Sequence, residues 1–110
     1  MRFLPELPQD KPWLILSHNP DTVDMVPELP SHPLMLSGHT HGGQIPGIHC
    51  ITRAVNGGFV SGIYTVGGMQ LYVSRGAGLW PGLPLRLGLP SEITEIVLRS
   101  GSDKKPGAAR

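Results

Sequence analysis

The sequence predicts an α/β domain: strand, helix, strand, then a hairpin and a last strand. Two short apolar runs, WLIL at 13–16 and LML at 34–36, flank a helix-start signal. Each run stops in a polar turn that carries histidine, Ser17-His18-Asn19-Pro20 after the first and Ser37-Gly38-His39-Thr40-His41 after the second. Twelve prolines and fifteen glycines in 110 residues favour strands, turns and long loops over a helical bundle.

Taken in order, residues 1–12 read as irregular, because Pro5, Pro8 and Pro12 each block regular pairing. Trp13 to Leu16 is apolar on both faces, which predicts a central strand. Asn19 suits a helix N-cap, Pro20 the first helical position, and Asp21 and Asp24 the positive end of the dipole. That helix is short, closed by Pro27 and Pro30, and leads to the strand Leu34 to Leu36. A right-handed crossover makes the two strands parallel, so His18 and His39 each follow a strand's C-terminal end, where open α/β sheets bind ligands. Residues 45–62, broken by Pro46, Gly47 and Asn56-Gly57-Gly58, read as loop. Gly67-Gly68 is a two-residue hairpin signal between Ile63 to Val66 and Met69 to Ser74. A turn-rich apolar loop over 79–89 precedes a last strand within SEITEIVLR, and residues 100–110 are expected to be disordered.

At this length the chain is one domain, large enough to bury a core. A net charge of +1 with 15% charged and 5% aromatic residues argues against a nucleic-acid polymer as partner. Cys50 is the only cysteine, which excludes an intrachain disulfide. No run approaches the ~20 apolar residues of a spanning helix, and MRFLPELPQD lacks the apolar core of a signal peptide, so a cytoplasmic chain is expected.

The chemistry concentrates in the stretch 34–44, LMLSGHTHGGQ. If it continues extended, His39 and His41 face one side and Thr40 the other. Imidazole is the commonest metal-binding side chain, and glycines at 38, 42 and 43 permit tight turning around such a site. With His18 on the same rim, three imidazoles converge. His32 is expected to be solvated and His49 to have no site role. For Arg75, at a strand end before Gly76 and Gly78, a phosphate contact and a surface ion pair are both open.

SHNPD at 17–21, SGHTHGGQ at 37–44, LYVSRGAG at 71–78 and GLPLRLGLPSEIT at 82–94 together resemble the C-terminal half of a calcineurin-like metallophosphoesterase. The resemblance covers residues 13–99. It points to the bacterial membrane-associated branch, with its lipid A pathway-type pyrophosphatases and related phosphodiesterases. It implies a sandwich of two β-sheets flanked by helices. It also implies a two-metal centre of Mn²⁺, Fe or Zn²⁺, with the ions ~3.5–4 Å apart, that polarises a phosphoryl group for in-line attack. By the same resemblance His18 and His39 are ligands of the second metal and His41 of the first.

The family's D-x-H, G-D and G-N-H motifs are absent from the sequence. None of Asp10, Asp21, Asp24 and Asp103 has histidine two residues on or follows glycine, and neither Asn19 nor Asn56 lies in Gly-Asn-His. Without a bridging carboxylate, two close dications would repel with little compensation, so at most one ion is expected on this chain alone. The sequence therefore reads as half an active site: part of a longer phosphoester hydrolase, whose substrate could be lipid- or nucleotide-linked, or an inactive relic or binding module. The loop over 79–89 suits packing against the remaining half of the domain or a peripheral membrane contact, and an uncovered sheet would favour self-association. An N-terminal anchor on a longer chain would make it membrane-associated.

Overall fold

The computed structural model describes residues 8–79, 82 and 85–99. A four-stranded mixed sheet in the order β1-β2-β4-β3 is built from β1 (Leu14–Ser17), β2 (Leu34–Ser37), β3 (Gly62–Val66) and β4 (Met69–Val73). β1 and β4 both run parallel to β2, and β3 turns back antiparallel to β4. The expected strand-helix-strand unit and the Gly67-Gly68 hairpin are therefore present. Gly67 takes φ 58°, which the turn requires and glycine supplies without strain.

Side-chain alternation divides the sheet into two faces. Ile15, Met35, Leu71 and Tyr64 stand in one row of the register, and they point to the side that is covered. There Val23, Met35, Met69, Leu71 and Val73 form the core, with Val26, Phe59 and Val66 against it. Leu14, Leu16, Leu34, Leu36, Tyr72 and Ile63 point to the other side.

Four expectations are corrected here. β1 is an edge strand rather than a central one, and Leu16 is 75% exposed. Its two-faced apolar pattern is real, but the described chain covers only one of those faces. The segment after β1 is a 3-10 helix, Pro20–Met25, and Asn19 occupies the N-cap position without a side-chain cap bond. Residues 45–62 are not all loop: α1 spans Pro46–Val55. Pro46 sits in its first turn, where its missing N–H costs nothing. Gly57 at φ 64° and the Gly58 N–H to Arg53 carbonyl bond (2.9 Å) end it in a Schellman motif.

The last correction concerns the expected strand at the C-terminal end. Residues 91–99 pair with no described strand; they run past the open face, held to Tyr72 through Glu92 and Thr94, with a gap of about 370 Å³ beside Leu34, Ile63 and Gln70. The β-branched residues of this segment favour an extended chain, but without ladder bonds to a neighbour it stays irregular. Residues 8–12 are irregular as expected. The rest of the N-terminal segment and the tail over 100–110 lie outside the described residues.

Candidate metal centre

Both histidine turns leave the sheet at the same rim, because β1 and β2 are parallel and in register, with Ser17 beside Ser37. Hydroxyl bonds fix the first turn. Ser37 Oγ donates to the Ser17 carbonyl (2.8 Å), Thr22 Oγ1 donates to the Asn19 carbonyl (2.7 Å), and Ser17 Oγ lies 2.6 Å from Thr22 Oγ1. The Gly38 N–H donates to the His18 carbonyl (3.2 Å), which ties the two turns together. His18 Nε2 and His39 Nδ1 consequently stand 2.9 Å apart, with ring centroids at 4.6 Å and planes crossed at 64°.

The stretch after β2 is not extended, contrary to the alternation argument. His39 takes φ 67°, Thr40 is right-handed helical, and His41, Gly42, Gly43 and Gln44 all have positive φ. Non-glycine residues in this region cost on the order of 1–3 kcal/mol each and persist only where surrounding contacts enforce them. Those contacts are present. Thr40 is fully buried and donates through Oγ1 to the Val60 carbonyl (2.5 Å). Gln44 is fully buried too, and its Nε2 donates to the Leu85 carbonyl (3.2 Å), while its own carbonyl accepts from the Leu87 N–H (2.9 Å).

The glycines at 42 and 43 are there for close approach. A Cβ on Gly42 would lie 2.8 Å from Arg75 Cγ, and one on Gly43 would lie 2.7 Å from the Cα of His49 in α1. His49 itself donates through Nδ1 to the Gly42 carbonyl (3.3 Å), so it supports the loop rather than lining a site. His32 is exposed, as expected, but lies at the far end of the sheet with Nδ1 2.9 Å from the Gly68 carbonyl.

The structure thus brings two of the three expected ligands together and sets the third apart. His41 is directed to the 74–79 loop, with Nδ1 donating to the Gly78 carbonyl (3.1 Å). That bond orients the His41 ring. Among the described residues, no group of three or more His, Cys, Asp or Glu side chains comes together. His18 and His39 meet in this structure as a hydrogen-bonded pair, Nε2 to Nδ1. Two imidazole nitrogens bonded to one ion at ~2.0–2.1 Å would stand roughly 2.9 Å apart for right-angle and 3.3 Å for tetrahedral ligation.

Arg75 is in an ion pair: its Nε donates to Glu92 Oε2 (2.9 Å) and its backbone N–H to Glu92 Oε1 (3.2 Å). Tyr72 donates its hydroxyl to the same Glu92 Oε1. Burial alone would raise the Glu92 carboxyl, but the bonds from Tyr72 and Arg75 and the charge of Arg75 outweigh it and hold the group below its ordinary value. Tyr72 is pushed up, chiefly by burial and then by its bond to Glu92. The sequence analysis missed Arg86, whose guanidinium donates to backbone carbonyls from three parts of this region. A lone arginine inside a leucine-rich run, too far from any acid to pair locally, was the available signal.

Comparison with known proteins bears on this rim. No family model matches the chain, and no solved structure does. It is 42% identical over 89 residues to an uncharacterized metallophosphoesterase of Helicobacter pylori (strain J99), covering 80% of this chain and 24% of that protein. The chain belongs with the metallophosphoesterases. It is also 37% identical over 90 residues to a phosphodiesterase of Escherichia coli K12, covering 79% of this chain and 32% of that one. A bovine transmembrane protein with a metallophosphoesterase domain matches at 37% over 93 residues, covering 83% of this chain and 20% of the relative. The present metallophosphoesterase segment thus spans between 20% and 32% of the length of these relatives. Among its described residues no helix is long and apolar enough to cross a membrane.

Proposed function

We propose that this chain supplies the imidazole side of the metal centre of a phosphoester hydrolase, and that by itself it binds one divalent ion between His18 and His39. The observation that carries this is the 2.9 Å separation of His18 Nε2 and His39 Nδ1 across two parallel strand ends. Mn²⁺, Fe or Zn²⁺ suits such ligation. His41 serves a second ion that requires carboxylates from elsewhere in a longer chain. The ions, when bound, supply Lewis-acid polarisation of a phosphoryl oxygen and activation of water. Arg75 is then placed to meet a phosphate of a phosphodiester or pyrophosphate: Glu92 engages Nε and steadies the side chain, and its stem lies over Gly42 of the histidine loop.

Two features support a longer chain as the working form. Leu14, Leu16 and Ile63 are 49%, 75% and 61% exposed on one sheet face, and Ile93, Val97 and Leu98 extend unpaired beside it. A second sheet from the rest of a metallophosphoesterase would cover that face and pair with that segment. Leu79, Leu85 and Leu87 of the 79–89 loop are also exposed, and Leu85 and Leu87 are tied through Gln44 to the histidine loop, so they would border a substrate at the rim.

Elemental analysis tests the proposal on the purified chain. About one equivalent of Mn²⁺ or Zn²⁺ per chain is expected, absent from a His18→Ala/His39→Ala double variant. An equal metal load in the double variant would refute it. Appreciable phosphodiester hydrolysis by the chain alone would refute the single-ion part.

A further inference from the structure

Arg86 lies outside the strands, on a segment that the sheet does not position. Its guanidinium nevertheless bonds across the whole rim. Nη1 donates to the carbonyls of His41 (3.1 Å) and Leu89 (3.0 Å). Nη2 donates to those of Gly78 (2.7 Å) and Arg75 (2.8 Å), with Gly76 at a marginal 3.4 Å. Among the described residues no carboxylate lies within ion-pair distance of it, since Glu92 pairs with Arg75. A charge placed against backbone carbonyls alone gains charge-assisted bonds and loses water. Here those bonds join the histidine loop, the 75–78 loop and Leu89 at one side chain.

We infer that Arg86 is the positioning residue for His41: it clamps the backbone carbonyl of His41 and, at the same time, the Gly78 carbonyl that receives the His41 Nδ1 proton. His41 takes φ 49°, a conformation that needs outside enforcement, and Arg86 provides it from the backbone side. Gly78 O accepts both Arg86 Nη2 and His41 Nδ1, so ring orientation and main-chain position are set by one planar fork. Lysine cannot replace it. An ammonium has three donors on one atom and cannot reach carbonyls on both sides of the fork. The catalytic meaning of this clamp rests on His41 being a ligand, as proposed above; the clamp itself does not.

Long-range ¹H–¹⁵N NMR of the imidazoles tests it on the 110-residue chain without metal. In the wild type, His41 is expected as the Nδ1–H tautomer with a slowly exchanging ring proton. In Arg86→Met that proton should exchange about tenfold faster or more, the scale of one lost hydrogen bond to a charged network, and the tautomers should average. Arg86→Lys should fall nearer Arg86→Met than wild type, while the His18–His39 pair keeps its wild-type signals in both. An unchanged His41 tautomer in either folded variant would overturn the inference, as would an Nε2–H tautomer in the wild type should both variants fail to fold. Absence of metal binding by the wild type would instead remove the metal proposal and leave this result standing.

Discussion

The two faces of the sheet carry similar residues and have different fates. On one, Met35, Leu71 and Val73 are fully buried under Val23 and Phe59. On the other, Leu14 and Leu16 of β1 and Ile63 of β3 stay open, and both of those are edge strands, whereas the buried three lie on the central β2 and β4. The 3-10 segment and the chain entering β3 close the first face. The segment 92–98 only skirts the second, holding Tyr72 through Glu92 and Thr94 while forming no strand. The difference teaches that apolar strand residues are buried only where a second layer packs on them, and the described residues supply that layer on one face, with the histidine rim at the sheet's end.

Substitutions can break or sharpen that contrast. The largest effect is expected from Leu71→Ala, a cavity under the covered face that should cost ~2–5 kcal/mol, against less than ~0.5 kcal/mol for Leu16→Ala on the open one. Urea unfolding measures both, and equal losses would mean that the open face is covered in solution. Next is Gly43→Ala. It places a methyl on the α1 backbone at φ 77°, so a loss of roughly 1–3 kcal/mol is expected. Weakened metal uptake should accompany that loss, whereas Gly47→Ala, with open space around it, should cost little.

The cluster of Tyr72, Arg75 and Glu92 borders the open face and should show a smaller, pH-dependent effect. Glu92 titrates lower in the folded chain than its ordinary 4.5, so its contribution is present above that value and lost as pH falls through the lowered one. Tyr72 titrates above its ordinary 10.0, so its contribution is present below that value and lost as pH rises through the raised one. Glu92→Gln should flatten the acid limb of a stability-versus-pH curve; an unaltered limb would mean that the cluster is disengaged. Smallest in energy is Leu16→Ser with Ile63→Ser, expected to leave the melting temperature nearly unchanged while lowering self-association in sedimentation velocity.

Much of the fold was legible where local physics decides it. WLIL and LML specified their strands as short apolar runs, and Gly67-Gly68 its turn through its φ requirement. α1 was misread because Pro46 and Gly47 look like breakers, although proline in a first turn and Gly57 just past the end mark a helix's limits equally well. The 91–99 strand failed for the opposite reason: its residues suit a strand, but no described strand pairs with it. At the rim, the histidines were legible as types and the turn that aims them was not. An αL–αR–αL path through His39, Thr40 and His41 depends on Val60, Leu85 and Arg86, all distant in sequence.

The central claim is that His18 and His39 already form half of an ion's ligand set. Adding substoichiometric Mn²⁺ to the labelled chain while recording imidazole resonances tests it directly, because the paramagnetic ion broadens nuclei steeply with proximity. The account predicts that the His18 and His39 ring signals vanish first and together, while His32, at the far end of the sheet, stays sharp. Uniform broadening of all five histidines, or His32 fading before the pair, would contradict it.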